Sequence, residues 1–225
     1  DLEAGTVGLK PGINNAAVDH LRIRVHGKST HVSTPHLGVD ALYIASQIVV
    51  AVQGLVTRRT SPTEPVIIGI GKLNAGTTYN AVAAFAEMEG TTRTISQESR
   101  DRIRRLVTET ADSIAAIYGG TAEIVWTDFA AALINDAEVC REAAAVADSL
   151  LGEGHVVTDR ELSLSGDNFA EFELYRPGAY AYLGTGNPDK PHTVISNHNG
   201  GFDVDEDALV TGAALYAGYA LARLG

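Results

Sequence analysis

The stretch "HGKSTHVSTPH", residues 26–36, sets His26, His31 and His36 at even five-residue steps. Imidazole is the commonest metal ligand and a ready proton donor near neutral pH, so a metal triad is the first chemistry to consider. A step of five reverses the face of a strand and turns a helix by about 140°, so neither element lets the three rings converge on one ion. His26 closes the polar face of a strand beside Arg22 and Arg24 and reads as solvated. His31 and His36 fall in a loop among Gly27, Ser29, Thr30 and Pro35, and an ordered loop on a rigid scaffold often carries a functional side chain. His31 is the candidate there.

A second stretch, "ISNHNGGFDVDEDAL", holds His198 just before a helix start, among small residues that leave room for a ligand. A neutral imidazole in that position suits zinc, which prefers nitrogen and sulfur donors. The acids Asp203, Asp205, Glu206 and Asp207 read as a helix start that complements the dipole, so one histidine alone does not make a coordination sphere. A third stretch, "NAGTTYNAV", offers the Asn80 amide at a tight connection, suited to a carboxylate or a developing oxyanion. Arg93, on the following strand, can clamp a carboxylate through two parallel N–H groups. It also alternates with Glu87 and Glu89, so simple cross-strand pairing is its other reading.

The elements that must position these residues follow from periodicity. "VDHLRIRV" alternates, with Leu21, Ile23 and Val25 on one face: a half-buried strand. "GVDALYIASQIVVAVQGLV" reads as a helix with Leu42, Ala45, Ile48, Val49 and Val52 as its apolar stripe. "PVIIGIGKL" and "AVAAFAEMEGTTRT" are two further strands. Ser96 caps a helix carrying Ile103, Leu106, Thr110, Ile114 and Ile117, and "TAEIVWTD" is a fourth strand with Ala122, Ile124 and Trp126 on one face. The order β-α-β-β-α-β, with right-handed crossovers, gives the ferredoxin-like antiparallel sheet with both helices on one side. Arg22, Arg24, Glu87 and Glu89 then lie on its bare face.

After Phe129 the texture changes. Asn135-Asp136-Ala137-Glu138 reads as a capping box that opens a helix ending at Gly152. "GDNFAEFEL" is a short helix and "PGAYAYLGTG" a strand. A last helix begins at Asp203-Val204-Asp205-Glu206, with Leu209, Gly212, Ala213, Tyr216, Tyr219 and Ala220 toward a core. This tail has helices but few strands, the look of one half of an α/β domain. The expected domains are 1–16, the end of an upstream segment; 17–128, a ferredoxin-like domain; and 129–225, one half of an α/β domain.

Composition narrows the partners. Asp and Glu outnumber Lys and Arg 28 to 17 in 225 residues, a net charge of −11, which argues against nucleic acid and anionic membrane. No apolar run reads as a membrane span, because Ser46, Gln47 and Gln53 break the richest one. Cys140 is the one cysteine, so no disulfide framework exists and a cytoplasmic setting is expected. The chain opens Asp1-Leu2-Glu3 and its one methionine is Met88, so a piece of a longer protein is expected.

"DHLRIRVHGKSTHVSTPHLGVDAL", "GKLNAGTTYNAVAAFAEMEGTTRT", "PGAYAYLGTG" and "SNHNGGFDVDEDAL", in this order, resemble the aminoacylase/carboxypeptidase group of dinuclear metallohydrolases, peptidase family M20, in its amidohydrolase branch. The resemblance implies a metal-dependent amidohydrolase acting on N-acyl amino acids or related small conjugates. It also implies a catalytic α/β domain holding two divalent metal ions (zinc, with manganese or cobalt as alternatives), of which 1–16 and the C-terminal part 129–225 would be segments, and an inserted ferredoxin-like lid, 17–128, that forms a homodimer. Under it His198 corresponds to a metal ligand, and His31 to the lid histidine that stabilises the oxyanion, often in the partner's active site. Asn80 and Arg93 correspond to residues that hold the substrate's carboxylate end. The family's usual Glu-Asp-Phe reads Asp167-Asn168-Phe169 here, which puts a role for those positions in doubt. With one ligand, the chain alone is expected to be inactive. The competing expectations are a non-catalytic dimerisation module and a ferredoxin-like small-molecule-binding module.

Overall fold

The computed structural model describes residues 2–225. In chain order the strands and helices are β1 (Val7–Gly8), β2 (Gly12–Asn15), β3 (Ala17–His26), α1 (Ala41–Arg58), β4 (Ile67–Ala75), β5 (Phe85–Thr94), α2 (Gln97–Ile117) and β6 (Thr121–Ala130). They continue with β7 (Leu133–Asn135), α3 (Ala137–Leu151), β8 (Val156–Val157), α4 (Ala170–Glu173), β9 (Tyr182–Leu183) and α5 (Ala208–Leu224). Two compact units result. One takes Asn15–Ala132 with Leu164–Asn168; the other takes Asp1–Asn14, Leu133–Ser163 and Phe169–Gly225.

The first of these contains the 17–128 segment expected as the lid and is called the lid. Its four strands pair antiparallel in the order β4-β5-β3-β6, the ferredoxin-like arrangement. Alternation along β3 sends Leu21, Ile23 and Val25 fully inside, where Met88 and Ala86 of β5 and the inner stripes of α1 and α2 meet them. Asp40 caps α1 by accepting from the Leu42 and Tyr43 amides, and Ser96 caps α2 by accepting from Ser99. Two stripes run differently from the periodic reading. On α1 the inward residues are Ala41, Ile44, Ala45, Ile48, Val52 and Leu55, while Leu42 is exposed. On α2 they are Ile103, Leu106, Val107, Ala111 and Ala115, while Ile117 is exposed. In both helices alanines take the inner row, so the backbone approaches the sheet closely and the phase is set by size as well as polarity. By length and mean hydropathy α1 could cross a membrane, contrary to the reading that no run approaches that; its inner row is part of the lid core.

Under the lid helices lies a buried ion cluster. Asp19, 1% exposed, accepts from Arg100 at 2.5 and 2.9 Å and from Arg104, which also reaches Asp128. Burial alone would push the Asp19 carboxyl up, but its bonds to Arg100 and Arg104 outweigh that and hold it below the usual range. Residues 164–168 lie along the start of β3: Ala16 N–H donates to Ser165 O at 3.0 Å, and a side chain at Gly166 would collide with Val18.

The other unit is built on short strands. β8, β1 and β9 form a three-stranded sheet, β1 parallel to β8 and antiparallel to β9, and β2 pairs with β7. Asp136, not Asn135, caps α3, accepting from Glu138 at 2.9 Å and Val139 at 3.0 Å. Asn135 is instead buried and locks the backbone, donating to Lys10 O and Tyr180 O and accepting from Tyr180 N–H. "PGAYAYLGTG" yields only the two-residue β9. The last helix begins at Ala208, later than its acids suggest, and Leu209 and Tyr216 are exposed where a core-facing position was expected. Small residues decide its inner face instead. A Cβ at Gly218 would stand 2.8 Å from Val146 of α3, and one at Gly212 would stand 3.0 Å from Leu183 of β9.

Candidate functional site

Gly27 turns the chain off the end of β3, where any side chain would run into the Val39 carbonyl. The loop that follows is clasped at its neck by Lys28 N–H to Val39 O at 2.8 Å and Val39 N–H to Lys28 O at 2.9 Å. Its middle is strapped to the 80–82 segment: Val32 N–H donates to Asn80 O at 3.2 Å, and Val82 N–H to Thr30 O at 2.8 Å. His31 sits in that middle, opposite Ala81, and its carbonyl accepts from Thr34 N–H at 2.9 Å. The two candidate segments carrying His31 and Asn80 are therefore neighbours on one tip of the lid. His31 and Asn80 both have exposed side chains, as their proposed contact with a ligand requires.

The other two histidines of the opening triplet do not join them in a metal site. His26 lies at the exposed end of β3, its ring tilted against Phe85 and 3.8 Å from Glu123. His36 is in the short turn Pro35–Leu37. Among the described residues no group of three or more His, Cys, Asp or Glu side chains could hold a metal ion.

Arg93 is elsewhere. It lies eight residues along β5 from Phe85, which at the strand rise puts it about 27 Å from that end of the strand, the end from which the His31 loop departs. On the sheet's open face the other cations are engaged: Arg24 with Glu87 at 2.9 Å and Glu123 at 3.3 Å, Lys72 with Glu89 at 2.7 Å, Arg22 with Glu89 at 3.6 Å. The Lys72 bond, with His20 and Arg22 adding to it, pulls the Glu89 carboxyl down to about 2. Glu87 and Glu89 are thus taken by other residues, and among the described residues Arg93 has no hydrogen-bond or ion-pair partner. The cross-strand pairing left open by the sequence does not occur.

His198 belongs to the other unit. Its loop is closed by Asp205, which is buried and accepts from Lys190 Nζ at 2.5 Å and Asn187 Nδ2 at 2.6 Å. Lys190 first, then Asn187, hold that carboxyl below its ordinary range. Asp205 is therefore an anchor for the loop, a different job from the dipole partner expected of it. Thr193 adds a hydroxyl bond to Lys190 O at 2.8 Å, and Asp203 N–H donates to His192 O at 3.2 Å. Within this frame His198 has φ +65°, the one non-glycine residue among those described with a left-handed backbone. Such a conformation costs on the order of 1–3 kcal/mol and persists only where its surroundings impose it. The imidazole is exposed and makes no hydrogen bond or ion pair among the described residues. It fits as one nitrogen donor to a metal, and among the described residues it belongs to no group of three or more His, Cys, Asp or Glu side chains that could hold one.

Sequence reasoning missed two short polar residues. Ser33, two positions after His31, places its Oγ 2.7 Å and its N–H 3.2 Å from His31 Nδ1. Thr78, two positions before Asn80, donates its hydroxyl to Asn80 Oδ1 at 3.2 Å. The signal was available, since serine and threonine two residues away commonly bond a neighbouring polar group in a turn.

Comparison with known proteins agrees with this architecture. Residues 17–119 match the family of the M20 peptidase dimerisation domain. The chain is 33% identical over 210 residues to an N-acetyl-L-cysteine deacetylase of Bacillus subtilis, covering 93% of this chain and 48% of that protein. It is 34% identical to thermostable carboxypeptidase 1 of Saccharolobus solfataricus, covering 95% and 53%. The solved structure of the Bacillus subtilis YXEP protein, a dinuclear metal-binding peptidase of the M20 family, superposes with a TM-score of 0.79 at 30% identity. That superposition covers 98% of this chain and 53% of that one. The chain thus spans about half the length of the curated relatives it matches.

Proposed function

We propose that the chain is part of an M20 peptidase, a metal-dependent amidohydrolase cleaving N-acyl amino acids or related small conjugates, a reading supported by the match of residues 17–119 to the dimerisation domain and by its relatives. The observation that carries the reading is the division of the lid's chemistry between its two ends. The donors His31 and Asn80 share one tip, and the unpaired guanidinium of Arg93 belongs to the opposite end of β5, about 27 Å along the strand from Phe85. No single small substrate can touch both within one lid. Two lids related by a dimer axis supply a site with Arg93 from one subunit and the His31 tip from the other.

The roles follow from the groups. Arg93 holds the free carboxylate of the substrate through two N–H bonds. His31 donates to the oxygen that becomes negative as the amide carbon turns tetrahedral, where a lost donor costs about 10²–10³ in rate. Asn80 adds an amide donor from the same tip. His198 gives a ring nitrogen to a divalent metal, with further ligands from outside the span of this chain. When bound, the metal pair supplies Lewis acidity toward the amide carbonyl. Zinc fits the imidazole donor, with manganese or cobalt as alternatives.

The homodimer is assigned to the lid, whose edge strand β4 and outer α1 face expose Ile67, Leu73, Leu42, Tyr43 and Val50. A net charge of −11 and a single cysteine support a small-molecule enzyme of the cytoplasm, with neither nucleic acid nor membrane as partner. The test is an assay of the complete metal-loaded protein on N-acetyl amino acids. His31→Ala should lower kcat about 10²–10³-fold and leave KM within a few-fold. An unchanged kcat removes His31 from the reaction.

A further inference from the structure

We propose that Ser33 is the positioning residue that fixes the His31 tautomer, so that the imidazole meets its ligand with a proton on Nε2. The inference rests on the proposed role of His31 as an oxyanion donor and names what prepares it for that role. A neutral imidazole carries one proton on either nitrogen, and only the protonated nitrogen can donate. Left to itself, a solvent-exposed histidine populates both forms.

Here the choice is imposed from Nδ1. The Ser33 amide points at that atom from 3.2 Å, and a backbone N–H can only donate. A proton on Nδ1 would face it directly. The Ser33 hydroxyl, at 2.7 Å from the same atom, can rotate to donate as well. Both contacts are satisfied together in one state: Nδ1 bare and accepting, Nε2 protonated and facing outward.

The backbone holds the arrangement in place. His31 O accepts from Thr34 N–H at 2.9 Å and from Thr34 Oγ1 at 3.3 Å, so residues 31–34 form a closed turn. Val32, between the histidine and the serine, is tied to Asn80. Ser33 therefore approaches Nδ1 because the turn brings it there. The same device recurs on the adjoining segment. Thr78 occupies the Asn80 amide oxygen at 3.2 Å, which leaves the NH₂ group as the free end of that side chain. Two residues of the tip thus have their acceptor atoms covered from within, and the groups left for a ligand are donors. A tip of that kind fits an oxygen anion and rejects a hydrogen-bond donor.

Nitrogen-15 NMR of the histidine-labelled protein reads this directly, at about pH 9, where imidazoles in general are neutral. His31 should show a bare, pyridine-type Nδ1 and a protonated, pyrrole-type Nε2. Ser33→Ala keeps the amide and loses the hydroxyl, so the Nε2–H preference should fall about 3- to 10-fold, and Ser33→Thr should restore it. In the complete enzyme Ser33→Ala should lower kcat in proportion to the fall in the Nε2–H fraction read by NMR, with KM unchanged, again restored by threonine. A proton found on Nδ1, or a tautomer ratio indifferent to Ser33→Ala, overturns the proposal. An Nε2–H fraction that falls by half or more while kcat does not would uphold the tautomer assignment and overturn the role of His31 in catalysis, so the two readings fail separately.

Discussion

The two units bury their apolar residues to very different extents. In the lid, eighteen buried residues form one cluster under strands of nine and ten residues. In the other unit the corresponding cluster has three, Val7, Leu9 and Cys140, and the strands of its three-stranded sheet have two residues each. Its last helix leaves Leu209, Val210, Tyr216, Leu221 and Leu224 exposed. The lid's four long strands and both its helices lie within residues 17–130, so each finds its counterpart there. The other unit carries apolar surface of the kind that proteins normally cover. The two candidate functions divide along the same line. Donor and anion-holding groups stand on the well-packed lid, and the single metal-ligand candidate stands on a loop of the other unit.

Mutations should expose this contrast in order of size. The largest effect is expected for Asp19→Ala, which takes the buried carboxylate from Arg100 and Arg104 of α2 and leaves them only the exposed Asp128. It should cost about 3–5 kcal/mol in urea unfolding followed by Trp126, the one tryptophan and a residue packed on the lid core. A loss under about 1 kcal/mol would mean that the cluster is solvated and the lid looser than described. Next, Ile23→Ala opens a cavity at a fully buried position and should cost about 2–5 kcal/mol by the same probe.

Acid should act more gently. Asp19 and Glu89 both have folded-state values below their ordinary ones, so each adds stability that is fully present above its unfolded pKa. That stability is lost as pH falls through the folded value, which for Glu89 is about 2. The lid midpoint should therefore be flat above about pH 5 and fall below about pH 4. Asp19→Asn should flatten part of that fall; an unchanged acid limb would assign it to other groups. The smallest effect is expected for Tyr216→Ser on the outer face of α5, within about 0.5 kcal/mol. A large loss there would show that this face is covered in solution.

What was legible in the sequence follows the same division. Alternation along β3 named Leu21, Ile23 and Val25 because one face is buried and the other charged. On α1 and α2 the pattern gave the helix but misplaced Leu42, Thr110 and Ile117, since alanine reads as neutral although it can line the closest contact with a sheet. α5 was phased only in part: Gly212 faces inward as expected while Leu209 and Tyr216 do not, because "ALVTGAALYAGYALARL" is apolar nearly all round and its inner face is chosen by where Gly212 and Gly218 let Leu183 and Val146 approach. The candidate residues were legible by type. Their grouping was not, because His31 and Asn80 are brought together by backbone bonds between two loops, whereas Asn80 and Arg93, closer in sequence, are held apart by the length of β5. The engagement of Glu87 and Glu89 by Arg22, Arg24 and Lys72, which leaves Arg93 free, depends on strand register.

The central claim, that one substrate is held by Arg93 of one subunit and the His31 tip of the other, is tested most directly by complementation in the complete enzyme. His31→Ala and Arg93→Ala homodimers are each nearly inactive on this account. Mixed and allowed to exchange subunits, they should form heterodimers in which one of the two sites has both residues intact, and activity should return to a substantial fraction of the wild-type rate. If the mixture stays as inactive as its components while subunit exchange is demonstrated by mass, His31 and Arg93 serve the same subunit or no common site, and the divided-lid account is wrong.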